Sequence, residues 1–125
     1  MQFGRIHTSM RTRGILSSLK TKTGITPNIL SRFGICLSLK DPSMPNPDEF
    51  DELGTEFLPN VLFGDYEKLF YALMINRLHK DGQPVSEKYL NRMMRAHLNR
   101  GVYSLISRIH HLSDIHEMIR AERKY

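Results

Sequence analysis

Polar and apolar residues alternate weakly over residues 2–11. Ile6, Thr8 and Met10 fall on one face and Arg5, His7 and Ser9 on the other, the period of a short strand. The period then lengthens. Over residues 12–23, Ile15, Leu16 and Leu19 recur at helical spacing; Thr12 is a candidate N-cap, and Gly24 ends the helix where a left-handed residue is easiest. A second helix is predicted over 26–40, with Thr26 as N-cap and Pro27 in the first helical position. Ile29, Leu30, Phe33, Ile35, Cys36 and Leu37 make it apolar nearly all round, which predicts burial in the domain or at a subunit interface. Residues 41–60 hold Pro42, Pro45, Pro47, Gly54 and Pro59 and predict a loop with one short strand at 56–58. The helical pattern resumes over 61–80 through Tyr66, Leu69, Phe70, Leu73, Met74 and Leu78, and Asp81-Gly82-Gln83-Pro84 is a turn. Residues 86–111 read as one helix or two, with Gly101 as the possible break; Ser113 can cap a last helix over 114–123, acids early and bases late. The expected fold is mainly α: a single compact helical domain over residues 1–125 with a short N-terminal strand.

Composition agrees. The chain has 125 residues, 40% hydrophobic and 25% charged, which excludes wholesale disorder or a collagen-like chain. A chain of this size buries only about two-thirds of its unfolded surface, so oligomerisation would help to enlarge the core. No apolar run approaches the roughly 20 residues that cross a bilayer. The N-terminus lacks the apolar region of a signal peptide, and Cys36 is the single cysteine, so no internal disulfide can form. A cytoplasmic location is expected.

Charge adds the first functional hint. The net charge is +5, but residues 1–40 hold seven basic residues and no acid, whereas residues 41–67 hold eight acidic residues and no Lys or Arg. Residues 68–125 hold eleven basic and five acidic residues. Basic ends around an acidic centre point to a polyanion partner, nucleic acid first. The plainer alternative is a solvated surface with ion pairing inside the chain. A strand, two helices and dense basic charge also give residues 1–40 a ribbon-helix-helix-like start. In that module two chains pair their strands, strand side chains enter a DNA groove, and the second helix meets a phosphate with its N-terminal amides. The corresponding groups are Arg5, His7 and Ser9 on the ribbon and Thr26 and Asn28 at the second helix start. An ordinary helical hairpin would look similar.

Catalytic chemistry finds little support. Cys36 between Ile35 and Leu37 reads as a buried structural thiol, not a sulfur carrier, which needs an exposed thiolate. His97, His110, His111 and His116 match no metal-ligand spacing. Most acids of residues 41–67 lie in a proline-broken loop, suited to docking on a basic surface of a partner or neighbouring subunit rather than to holding Mg²⁺. Tyr66, Phe70 and Tyr71 read as core or subunit packing, since base stacking needs an exposed aromatic beside basic residues.

One stretch is more specific. Leu19-Lys20-Thr21-Lys22-Thr23-Gly24-Ile25-Thr26-Pro27-Asn28-Ile29-Leu30-Ser31-Arg32, closed by Leu37-Ser38-Leu39, resembles the signature of the DndE family of the DNA phosphorothioation system. Gly54-Thr55-Glu56-Phe57 with Leu62-Phe63-Gly64-Asp65-Tyr66, then His97-Leu98-Asn99-Arg100-Gly101-Val102 and Leu112-Ser113-Asp114, are similar to later family segments, in the same order. The resemblance implies a role in replacing a non-bridging phosphate oxygen of DNA by sulfur, beside DndC and DndD, on DNA that a partner restriction system then spares. It implies a DNA-binding subunit without catalytic residues, metal or cofactor, which prefers nicked duplex and forms a homo-oligomer, a tetramer. Lys20 and Lys22 match the family's basic pair and Arg32 a family position. Arg11 and Arg13 depart from the family pattern, so their candidacy for DNA contact, like that of Arg5, comes from charge. Such a surface would hold the phosphate backbone with little sequence preference and strong salt dependence. The alternative is a ribbon-helix-helix transcriptional repressor that reads an operator.

Overall fold

The computed structural model describes residues 2–109 and 112–123. In chain order they form β1 (Ile6–His7), α1 (Met10–Thr23), α2 (Pro27–Lys40), β2 (Glu56–Phe57), α3 (Pro59–Phe63), α4 (Glu67–Lys80), α5 (Glu87–Ile106) and α6 (Leu112–Arg123), with 3-10 turns at Pro47–Glu49 and Gly64–Tyr66. The mainly helical expectation and the N-terminal strand both hold.

The centre is α5. Leu90, Met94, Leu98, Val102 and Leu105 run along it at spacings of three and four and are fully buried. Each such side chain contributes about 1.5–3 kcal/mol by leaving water. Helices α1, α2 and α4 and strand β1 pack around it, α2 most extensively. Gly101 does not break α5. A Cβ on Gly101 would land on the Gly34 carbonyl, and one on Gly34 would sit 3.0 Å from the Val102 nitrogen. Two glycines thus let the α2 and α5 backbones touch, and that contact offsets the roughly 1 kcal/mol that glycine costs inside a helix.

Several helix ends differ from the expectation. Helix α1 starts at Met10, and Ser9, not Thr12, is its N-cap, the Ser9 hydroxyl accepting from Thr12 N–H. Thr12 is buried and donates to Asn99 Oδ1 at 2.6 Å. Gly24 does close α1, at φ 74°. Thr26 and Pro27 do start α2, although the Thr26 hydroxyl makes no capping bond. The segment 61–80 is split, because Gly64 takes φ 54° between α3 and the turn that leads into α4. Helix α6 begins at Leu112, so Ser113 lies inside it and is not a cap. Helix α2 is buried on one side only: Leu30 and Ile35 are covered, whereas Ile29 is 39% exposed and Cys36 reaches the surface.

The strand is shorter than its pattern suggested and finds its partner in the same chain. Ile6 pairs with Phe57 and His7 with Glu56, antiparallel. Past Thr8 the chain turns into α1, which buries Ser9 and leaves Met10 51% exposed. Ser9 is therefore a helix cap in the interior, not a ribbon side chain. No helix among the described residues is long and apolar enough to cross a membrane.

Candidate nucleic-acid interface

Leu16 and Leu19 turn one side of α1 to the core, which leaves Arg13, Ser17 and Lys20 on the outer side at positions i, i+4 and i+7. Arg13 and Lys20 line an open groove of about 440 Å³ together with Asn28, Thr55 and Val61. Lys22 is exposed in the same last turn, where the helix dipole favours cations. No hydrogen bond, ion pair or ring contact among the described residues engages the side chain of Arg13, Lys20 or Lys22.

The other three candidate cations are occupied to different degrees. Arg5 Nη1 lies 3.0 Å from Glu56 Oε1 on the exposed ribbon, beside His7. The Arg11 guanidinium sits 4.3 Å above the Tyr103 ring, a cation–π contact that fixes the side chain while leaving it exposed. Arg32 is committed to the fold: Nε donates to Leu62 O at 2.6 Å and Nη2 to Val61 O, which ties α2 to α3. Of the ribbon-helix-helix groups, Arg5 and His7 remain on the ribbon, and Asn28 Nδ2 donates to Val61 O at 3.2 Å.

The acidic loop keeps most of its carboxylates exposed, Asp48 at 76% and Glu52 at 66%, but its backbone is anchored. It lies on its own chain, held by arginines that sequence reasoning left as general positive charge. Arg77 donates to Leu39 O, Asp41 O and Ser43 O at 3.0, 2.7 and 2.6 Å and pairs with Asp81. Arg95 reaches Phe50 O, Asp51 O and Pro47 O. Arg100 Nε donates to Ser38 Oγ, and its terminal nitrogens donate to Ser38 O and Ser43 O. A readable signal existed: a long loop without regular structure leaves carbonyls needing donors, and arginine supplies several at once.

Local electrostatics follow. The Asp41 carboxyl is held below its ordinary range by hydrogen bonds from Ser43, with a smaller contribution from Arg100. Asp51 is lowered by the N–H groups of Leu53 and Met10. His97 is fully buried, and burial with the nearby Arg77 and Arg100 charges pushes its pKa down to about 3. Ser38 Oγ accepts from Arg100 Nε and shares a hydrogen bond of 2.8 Å with His97 Nδ1, which fixes the ring between α2 and α5.

No group of three or more His, Cys, Asp or Glu residues among the described residues is arranged to hold a metal ion. His110 and His111 lie outside the described residues. Cys36 is not the buried thiol expected, since α2 turns it outward; its apolar neighbours still raise the thiol pKa and disfavour thiolate. Tyr66 is exposed, 6.0 Å from the Arg32 guanidinium, whereas Phe70 is buried and packs on Phe63.

The model of the family described as "DNA sulphur modification protein DndE" matches residues 5–113. The chain belongs to the DndE family. Its fold is similar to the crystal structure of DndE from Escherichia coli B7A, described as involved in DNA phosphorothioation modification, with a TM-score of 0.68 and 24% identity over 84% of this chain and 99% of that one. A DndE mutant described as involved in DNA phosphorothioation matches with the same TM-score and coverage at 22% identity. No curated protein matches by sequence. The DndE-like segment His97-Leu98-Asn99-Arg100-Gly101 is a structural hub in this chain. His97 and Arg100 hold Ser38, Asn99 accepts from Ser9 N–H and Thr12 Oγ1, and Gly101 touches Gly34.

Proposed function

We propose that this DndE-family chain is a non-catalytic, DNA-binding subunit of the phosphorothioation machinery, acting in the cytoplasm beside DndC and DndD. Its contact surface is the outer face of α1: Arg13, Lys20 and Lys22, with Arg11 and Arg5 at the margin. The observation that carries this reading is that the side chains of these first three cations have no partner among the described residues, while the arginines of α4 and α5 do. Contact through cations at one helix face suits phosphates rather than bases, so affinity is sequence-tolerant and salt-sensitive. A nick lowers the cost of bending DNA onto such a surface, which supports a preference for nicked duplex. A homotetramer would repeat the surface and strengthen it by multivalency. The exposed apolar residues Val61, Tyr66 and Leu69 offer area for such an assembly to bury.

The test is a binding titration of nicked and intact duplexes of one random sequence at two salt concentrations. Wild type should bind the nicked duplex more tightly. Lys20→Ala/Lys22→Ala should weaken binding and lower the log–log salt slope by about 2. Negligible binding to both duplexes would sink the reading. Discrimination of one sequence from random DNA by roughly 10³-fold would favour the repressor instead.

A further inference from the structure

On the other side of the ribbon lies a second charged surface. Strand β2 lends Phe57 to the α1 groove, whereas β1 lends Ile6 and His7 to a cleft of about 350 Å³ against α5. Lys88, Arg92 and Arg95 line this cleft at i, i+4 and i+7, a single stripe spanning roughly 10 Å. Arg5 faces it from the ribbon, and the loop carboxylates Asp48 and Glu52 reach into it. Asp48 lies 2.9 Å from Arg92 and Glu52 lies 3.4 Å from Arg95, yet their side chains are 76% and 66% exposed.

We propose that the β1–α5 cleft is a second phosphate-contact surface for duplex DNA, covered in the DNA-free protein by the carboxylates of Asp48 and Glu52. The inference rests on the DNA-binding reading above. A carboxylate that stands mostly in water loses little when its ion pair opens, so a polyanion that meets several cations at once can displace it. The loop itself need not leave. Its backbone is held through the carbonyls that Arg95 bonds, so only two side chains have to swing. Lys88 is exposed and its side chain makes no hydrogen bond or ion pair among the described residues, so one cation is available before either carboxylate moves.

Full-length protein is titrated with intact duplex by fluorescence anisotropy at several salt concentrations. Asp48→Asn/Glu52→Gln should tighten binding roughly fivefold, as expected for removing about 1 kcal/mol of competition. Asp65→Asn/Glu67→Gln, with the same change in net charge away from the cleft, should tighten it far less. Lys88→Ala/Arg92→Ala should lower the salt slope by about 2 and cancel the gain from the Asn/Gln pair. Equal gains from the two acidic pairs, or an unaltered slope in Lys88→Ala/Arg92→Ala, would overturn the inference. If binding still depends on Lys20 and Lys22 in that case, the α1 surface stands and the cleft alone fails. If neither wild type nor Asp48→Asn/Glu52→Gln binds duplex, both readings fail.

Discussion

Arg77 and Lys20 carry the same unit charge and sit on helices of the same length, yet they are put to opposite uses. Arg77 is nearly covered and gives its donors to three carbonyls and a carboxylate. Lys20 stands on an open groove with no partner among the described residues. Arg95 and Arg100 follow Arg77, and Arg13 and Lys22 follow Lys20. The difference teaches that net charge does not locate a binding surface. What locates it is which cations remain after the backbone carbonyls of the irregular segments have been satisfied.

The comparison breaks most visibly at Arg77. Arg77→Ala removes the donor from Asp81 and from the Leu39 and Asp41 carbonyls, leaves Ser43 O to Arg100 alone, and should cost about 3–5 kcal/mol, read from the urea midpoint. Arg77→Lys should recover little of it, because an ammonium cannot reproduce the fork. Next comes acid. His97 is neutral in the fold, with its pKa near 3 against an ordinary 6.5, so the unfolded chain binds the extra proton first. Its contribution is intact above about pH 6.5 and is lost as pH falls toward 3, an effect on the order of a few kcal/mol. Arg77, Arg100, Asp41 and Ser38 surround the ring; Asp41 titrates in the same direction at lower pH. Urea titrations between pH 7 and 4 should therefore show a weaker pH dependence in His97→Gln than in wild type. The smallest effect sharpens the contrast: Lys20→Ala/Lys22→Ala should leave the unfolding free energy from urea titration within about 0.5 kcal/mol of wild type while it weakens DNA binding.

Sequence reasoning recovered what local chemistry decides. Gly24, Thr26-Pro27 and Asp81-Gly82 marked helix ends and a turn because each acts within a few residues of itself. It went astray where a distant group decides. Ser9 and Thr12 are equally good caps by residue type; Asn99, 87 positions beyond Thr12, takes the Thr12 hydroxyl and leaves the cap to Ser9. Gly101 reads as a breaker until Gly34 is opposite it. Cys36 sits in an apolar string, but which side of α2 turns outward depends on where α5 lies. At the candidate site the cations were legible as charges, whereas the fate of Arg32 was not, since the carbonyls of Val61 and Leu62 leave no mark in the sequence.

The Asn99 tie has a consequence for the order of events during synthesis. Ribosomes extend the chain from its N-terminus at about 5–20 residues per second. Ser9 gains its Asn99 acceptor, and the loop its Arg92, Arg95 and Arg100 donors, only after about four-fifths of the chain has been made. The basic residues of 1–40 are made before the eight acids of 41–67, and those acids in turn before the arginines that hold their loop. Each charge block therefore waits for the next: the cap of α1 and the anchored loop are both completed by one late helix, α5.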